Sequence, residues 1–279
     1  MGSDGPTTVR WLTAFLDRTG PQVADAVRFW QLVTASTLSP TRGERGQFAT
    51  FLPPDGEAYL RVQTLIEGPG GGHLDVHVAD VDAAAARAVA LGARARPLDD
   101  IVTLLSPAGL RWCLVPDDPN PDDPNPDEPT GDDPGPDDPG PDAVAGPRRP
   151  HPVMRADGHA CLVDQVCLDV PPELYQAECA FWQAITGWPL LPEDSPEFTR
   201  LTGPAGVPLQ LLLQRLDRSP AGGRATCHLD LACSDVAAEV ALHETWGARV
   251  VARFTGWTTL VDPSGVSYCV TRRDPYPGT

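Results

Sequence analysis

HLDVHVADVDAAAARAVALGA, residues 73–93, returns as HLDLACSDVAAEVALHETWGA at residues 228–248. Each copy begins with a short run of alternating apolar and polar residues, which predicts a half-buried strand. Each then meets an Asp in an N-cap position, Asp80 or Asp235, and reaches a Gly 19 residues after the His, Gly92 or Gly247. A capped helix closed by glycine is the reading of that segment. Working outward, FLDRTGPQVADAVRFW (15–30) matches CLDVPPELYQAECAFW (167–182), and in both an Asp precedes the Trp by 13 residues. Downstream, SPAGLRWCLV (106–115) matches DPSGVSYCVT (262–271). The offset between copies drifts only from 152 to 156. The chain is a duplication, and 279 residues suit two domains.

The remaining elements follow the same rule. Residues 9–17 and 162–170 alternate and are rich in strand formers. A helix follows in each half, with Phe29, Trp30 and Val33, or Phe181, Trp182 and Ile185, on one apolar stripe. Strands are predicted at 47–52, 58–65, 101–105 and 110–115, and at 197–202 and 208–216, separated by Pro and Gly turns. Each half therefore reads as β-α-β-β-β followed by a β-α-β-β-type unit, an α+β class.

Between the halves runs PDDPNPDDPNPDEPTGDDPGPDDPG, and residues 117–150 carry eleven acidic and two basic side chains. Proline at this density forbids helix and sheet ladders, and like charges keep the segment extended. The expectation is a disordered acidic linker over 117–157, joining separately folded domains at 8–116 and 158–273. A calcium-binding repeat is set aside, because the glycine-turn ligand geometry of calcium loops is missing. The net charge of −17, with no basic stripe, argues against nucleic acid and anionic membrane surfaces as partners. Seven cysteines without CxxC spacing, and no secretory signal at the N-terminus, point to a reducing, cytoplasmic setting.

Alternation decides which side chains share a surface. Leu74, Val76 and Val78 must face the helices, which turns His73, Asp75 and His77 to the opposite side of the sheet. In the second copy, His228 and Asp230 take that side, against Leu229 and Leu231. Thr13, Phe15 and Asp17 form one set, and Gln165, Cys167 and Asp169 its counterpart. Gln63, Gln214, Cys113 and Cys269 come from neighbouring strands, with Arg111 and Ser267 two residues before the cysteines. The candidate site residues are thus Asp17, Gln63, His73, Asp75 and Cys113, and Gln165, Asp169, Gln214, His228, Asp230 and Cys269. Paired carboxylates for acid–base work are one use of them, and a hydrogen-bonded fixture of the wall is the other.

This ordered set, occurring twice, resembles the vicinal oxygen chelate superfamily of glyoxalases, bleomycin-resistance proteins and extradiol dioxygenases. The likeness is to its actinobacterial glyoxalase-like branch and covers nearly all of 8–116 and 160–272. It implies tandem glyoxalase-like domains, each of paired βαβββ modules curled into a cup with helices outside. Metal-using members place four ligands on the inner wall, at positions that fall on Thr13, Gln63, His73 and Cys113, and on Gln165, Gln214, His228 and Cys269. Those members typically supply His or Glu at the first position and Glu at the last, where this chain has Thr or Gln, and Cys. The expectation is therefore a small-molecule-binding protein without a metal, its cups serving as pockets for a neutral or cationic organic ligand, oligomeric state open. The alternative is a metal-dependent lyase, isomerase or dioxygenase acting in the second half through Gln165, Gln214, His228 and Cys269, with Asp230 or Asp169 as support or substitute. Whether any reaction is catalysed stays open on the sequence.

Overall fold

The computed structural model describes residues 9–68, 70–98, 101–116, 148–220 and 222–276. The first half runs β1 (Val9–Arg18), α1 (Val23–Thr34), β2 (Thr37–Leu38), β3 (Phe48–Leu52), β4 (Leu60–Thr64), β5 (Gly71–Val78), α2 (Val81–Ala90), β6 (Arg94–Leu98), β7 (Ile101–Leu105) and β8 (Arg111–Pro116). A short β9 (Val153–Met154) precedes the second half. That half runs β10 (Ala160–Val170), α3 (Tyr175–Thr186), β11 (Leu190–Pro192), β12 (Phe198–Leu201), β13 (Gln210–Arg215), β14 (Thr226–Cys233), α4 (Val236–Thr245), β15 (Arg249–Arg253), β16 (Trp257–Val261) and β17 (Ser267–Thr271). The closing unit of each half is a full βαβββ module, one strand longer than the sequence suggests. Its extra strand, β6 or β15, is an outer edge.

The strand orders are β2-β3-β4-β1-β5-β8-β7-β6 and β11-β12-β13-β10-β14-β17-β16-β15. In each sheet the two modules meet through an antiparallel central pair, β1 with β5 and β10 with β14. Parallel pairs flank that centre: β4 and β8 in one sheet, β13 and β17 in the other. The register is the same in both halves, with Asp17 opposite Gln63 and Asp169 opposite Gln214, Phe15 opposite His73 and Cys167 opposite His228. Asp75 lies opposite Cys113, and Asp230 opposite Cys269. The predicted caps are present, since Asp80 and Asp235 accept from the backbone N–H of Ala83 and Ala238.

The helices lie outside each cup, yet they are sandwiched between the halves. On α1, Phe29 meets His243 and Tyr268 of the second half, at ring separations of 5.3 and 5.7 Å. On α3, Trp182 meets Trp112 of the first half at 5.3 Å. Each helix also anchors the closing turn of the opposite half. Asp262 of the DPSG turn accepts from Trp30 Nε1 at 3.0 Å and from Arg18 Nη2 at 2.7 Å. The matching SPAG turn has Ser106 instead of Asp, and the acid comes from the helix. There, Glu178 accepts from Ala108 N and from Trp182 Nε1, both at 2.8 Å. One contiguous apolar core therefore runs through both halves, and two separately folded units do not describe it.

The linker expectation is corrected at its C-terminal end. Residues 117–147 lie outside the described residues, but the following segment is packed on the first half. Glu57 N donates to Arg148 O at 2.8 Å, and the His151 ring pairs with Asp55 at 2.6 Å. Arg155 donates to the carbonyls of Leu32 and Val33 at the end of α1. The same guanidinium pairs with Glu239 of α4, which also meets His159 and His243. In the first copy the positions of Glu239 and His243 are Ala84 and Ala88, both buried, so this ion cluster belongs to one copy alone.

Asp262 is the most testable joint. Burial alone would raise its pKa, but Arg18, Ser264 and Trp30 outweigh burial and hold the carboxyl below its usual value. A depressed folded pKa contributes stability above the unfolded value of about 3.9, lost as pH falls through the folded value. Asp262→Asn should therefore flatten part of the acid limb of a stability–pH profile. Because it leaves the Arg18 charge buried without a partner, it should also cost about 3–5 kcal/mol in urea unfolding at neutral pH. Wild type should unfold in one transition that includes both halves.

Candidate functional site

Covering one face of each sheet with helices leaves the other face as the concave wall. Leu74, Val76 and Val78, and Leu229 and Leu231, are in the core, so the strand phase places both histidines on the concave side. In the first cup, His73 Nδ1 lies 2.9 and 3.0 Å from the two oxygens of Asp17. Arg111 Nη2 reaches the same carboxylate at 2.5 Å. Thr13 Oγ1 bonds His77 Nε2 at 2.9 Å. Asp75 is buried 3.9 Å from His73 Nε2, and burial raises its pKa. Burial, reinforced by Asp75, pushes the Cys113 thiol up to about 12. The Phe15 ring stacks on His73 at 4.4 Å, and the Arg61 guanidinium lies 5.9 Å from the Phe15 centroid. An aromatic ring and its cation thus fill the space in front of the histidine.

The second cup is open. At the matching registers, Cys167 and Leu212 replace Phe15 and Arg61, and a cavity of about 340 Å³ occupies the space. Gln165, Gln214, His228, Asp230 and Cys269 line it. Asp169 stands behind His228 and holds Nδ1 at 2.9 Å. On the other side of the ring, Asp230 Oδ1 lies 3.3 Å and Cys269 Sγ 3.6 Å from Nε2. Burial disfavours charge on this ring, but Asp169, Cys167 and Asp230 outweigh it and raise the His228 pKa well above its usual value.

Of the four positions carried over from the superfamily, the two glutamines are engaged by neighbouring side chains. Gln165 spends both ends of its amide: Nε2 donates to Asp230 Oδ2 at 2.8 Å, and Oε1 accepts from Arg273 at 2.8 Å. Gln214 Oε1 faces the Cys167 thiol at 3.8 Å. Around His228 two groups of donor atoms lie close together, one with Asp230 and Cys269 and one with Cys167 and Asp169, and His73, Asp75 and Cys113 form the counterpart of the former in the first half. Asp230 keeps its Oδ1 buried without a hydrogen bond of good geometry.

Several cavity residues escape the sequence reading. Arg273 follows the last strand, where no periodicity marks it, and pairs with Asp164 at 2.7 Å. Asp164 sits at an irregularity in β10 between Val163 and Gln165, which breaks the alternation that would have assigned it. Phe198 and Arg200 come from β12, too short to show a pattern. Trp257 does border the cavity, while Trp30, Trp112 and Trp182 are buried in the core.

A glyoxalase-like domain family model matches residues 13–115 and again 165–271. The chain belongs to this family. The two matches are the two halves, so the duplication, the fold class and the vicinal oxygen chelate resemblance stand as read. Among solved structures, a Mn(II)-bound glyoxalase from Novosphingobium aromaticivorans is similar, at 14% identity and a TM-score of 0.57, over 95% of this chain and 82% of that one. A 2,3-dioxygenase from Pseudomonas sp. KL28 is similar at 13% identity and a TM-score of 0.56, over 99% and 96% of the two chains. A triple mutant of 4-hydroxymandelate synthase from Streptomyces coelicolor gives 15% and 0.55, over 99% and 95%. At these identities the likeness is one of fold. No curated protein sequence matches the chain. No helix among the described residues is long and apolar enough to cross a membrane.

If Phe15 seals the first cup, Phe15→Ala should cost about 3–5 kcal/mol in urea unfolding. Cys167→Ala, which removes a single buried sulfur, should cost less. Equal losses would show that the two cups are filled alike.

Proposed function

We propose that this glyoxalase-like protein binds a small organic molecule, and that the cup of the second half is its working site while the first half serves as structural partner. The asymmetry between the cups carries this reading: Phe15 and Arg61 occupy one, and about 340 Å³ stands open in the other. That volume is in the range of small-ligand pockets, and its lining mixes apolar and polar groups as such pockets do. Phe198 packs edge-on against Trp257 at 5.8 Å, and Phe254 stacks on Trp257 at 4.4 Å. This aromatic wall suits a planar conjugated ring. The arginines at the rim are largely matched, Arg200 by Glu193 and Arg273 by Asp164. A neutral planar ligand fits that balance better than the cationic one the sequence also allowed, its polar group turned toward His228 and Gln214.

The second reading is a metal-dependent lyase, isomerase or dioxygenase in the same cup. The approach of Asp230 Oδ1 and Cys269 Sγ to His228 Nε2, at 3.3 and 3.6 Å, favours it. A metal bound there would act as a Lewis acid toward a carbonyl or hydroxyl oxygen of the ligand.

A library of planar aromatic fragments, screened by ligand-observed NMR against the full chain, should give binders displaced by Trp257→Ala. Loss of one aromatic contact, about 0.5–1.5 kcal/mol, corresponds to weakening of up to about tenfold. Binding that survives Trp257→Ala and Phe198→Ala but is lost in His73→Ala would place the site in the wrong half.

A further inference from the structure

We infer that the first half carries a separate binding site, for a neutral monocyclic phenol, in a recess between α1 and the helix-facing side of β3 and β4. It lies outside the cup and does not rest on the reading of the second half. The recess measures about 540 Å³, and all of its lining comes from residues 21–64. Val23 and Val27 of α1 form one wall, the buried Ala49 and Val62 the floor, and Thr41 and Gln47 the rim.

The second copy indicates the occupant, because it fills the matching space with a phenol of its own. Helix α3 repeats α1 with the Phe29-Trp30 pair at Phe181-Trp182, so Tyr175 stands where the first half has Val23, and Cys179 where it has Val27. The sheet positions match as well. Ala49 lies opposite Val62 as Thr199 lies opposite Leu213, with Leu16 and Leu168 on the other flank. The Tyr175 ring is buried, and its hydroxyl donates to the Leu213 carbonyl at 3.2 Å and lies 2.9 Å from Thr199 Oγ1. The Cys179 thiol interacts with the same hydroxyl. The phenol thus spans from α3 to the counterparts of Val27, Ala49 and Val62, three positions that line the recess. Val23 is too short to make that crossing. Exchange of Tyr for Val leaves open, in the first half, the volume that a ring occupies in the second.

The chemistry of the recess selects a phenol. Its floor is apolar, and the Val62 carbonyl, at the register of Leu213, supplies an acceptor at its end. An acceptor asks for an O–H, which favours a protonated phenol over a phenyl ether, a phenolate or a carboxylate. Among the described residues the lining includes no carboxylate, and its one guanidinium, Arg28, lies 3.7 Å from Asp25 on the exposed side of the helix. The rim is an ordered loop. Residues 39–47 join β2 to β3, where the shorter 193–197 join β11 to β12. Arg42 bridges Phe48, the Gln47 carbonyl accepts from Thr64 N at 2.8 Å, and Gln47 Oε1 accepts from Arg45 N at 2.9 Å.

The test is a titration with p-cresol, the tyrosine side chain without its backbone. The full chain carries Trp257→Ala, which strips the aromatic wall from the cup of the second half. The expected result by protein-observed NMR is one saturable equivalent, with NOEs from the cresol ring to the methyls of Val23, Val27 and Val62. Toluene, which lacks the hydroxyl, should bind up to about tenfold more weakly. Val23→Tyr puts the second copy's residue into the recess and should abolish binding, and Tyr175→Val should add a second equivalent. The same NOEs in wild type read the site without relying on how any variant folds. Absence of saturable binding would overturn the assignment, as would NOEs confined to the second half or binding that survives Val23→Tyr. Toluene binding as tight as p-cresol, or no second equivalent in Tyr175→Val, would overturn it too. If p-cresol fails while aromatic fragments still bind the wild-type cup, this site falls and the reading of the second cup stands.

Discussion

The structure depends on one constraint: each sheet must bury one face, and the two halves bury theirs against the same layer of helices. Once Leu229, Leu231 and Val270 are committed to that layer, the alternation of β14 and β17 leaves His228, Asp230 and Cys269 no other side to occupy. A slip of one residue would drive a histidine and a carboxylate into an apolar interior, at the cost of burying charge without partners. The arrangement of the cup therefore follows from packing on the opposite face. Close approach at the junction needs its own device, and Gly72 supplies it: a Cβ there would lie 2.9 Å from the Phe15 carbonyl and 3.3 Å from Cys227 Sγ.

Duplication gave two cups with one register, and a few substitutions set them apart. Exchanging Phe15 and Arg61 for Cys167 and Leu212 changes a filled wall into an open one without altering the strand pairing. The same divergence runs through the helix layer, where Ala84 and Ala88 pack by shape and their counterparts Glu239 and His243 pack by charge. Glu239 keeps a strongly depressed pKa despite its burial, because His243 and Arg155 hydrogen-bond its charged form. Arg155 carries that cluster across to the end of α1, so the segment before β10 ties the halves together. A protein arranged this way can devote one copy to stability and the other to a ligand.

Much of this was legible in the sequence. The repeat of HLD, the Asp caps and the Phe-Trp pairs define the two modules of each half, and the period of two in β5 and β14 places His73 and His228 on the concave wall. The edge strands β6 and β15 were not legible, because an edge with one partner needs little hydrophobic patterning. Interlocking of the halves was hidden as well. Phe29 and Phe181 read as core residues in any case, and nothing in a local period says that the core belongs partly to the other copy. The roles of Gln165 and Gln214 were obscured because they occupy positions where metal donors are usual in such cups. Only their hydrogen bonds show that both amides are already engaged.

The central claim is that the open cup of the second half takes the ligand while Phe15 closes the first. A crystal structure of the full chain soaked with a planar aromatic fragment that binds it tests this most directly. The account predicts the fragment in the second cup, against Trp257, with Phe15 still stacked on His73. A fragment seated in the first cup, with Phe15 displaced, would contradict it.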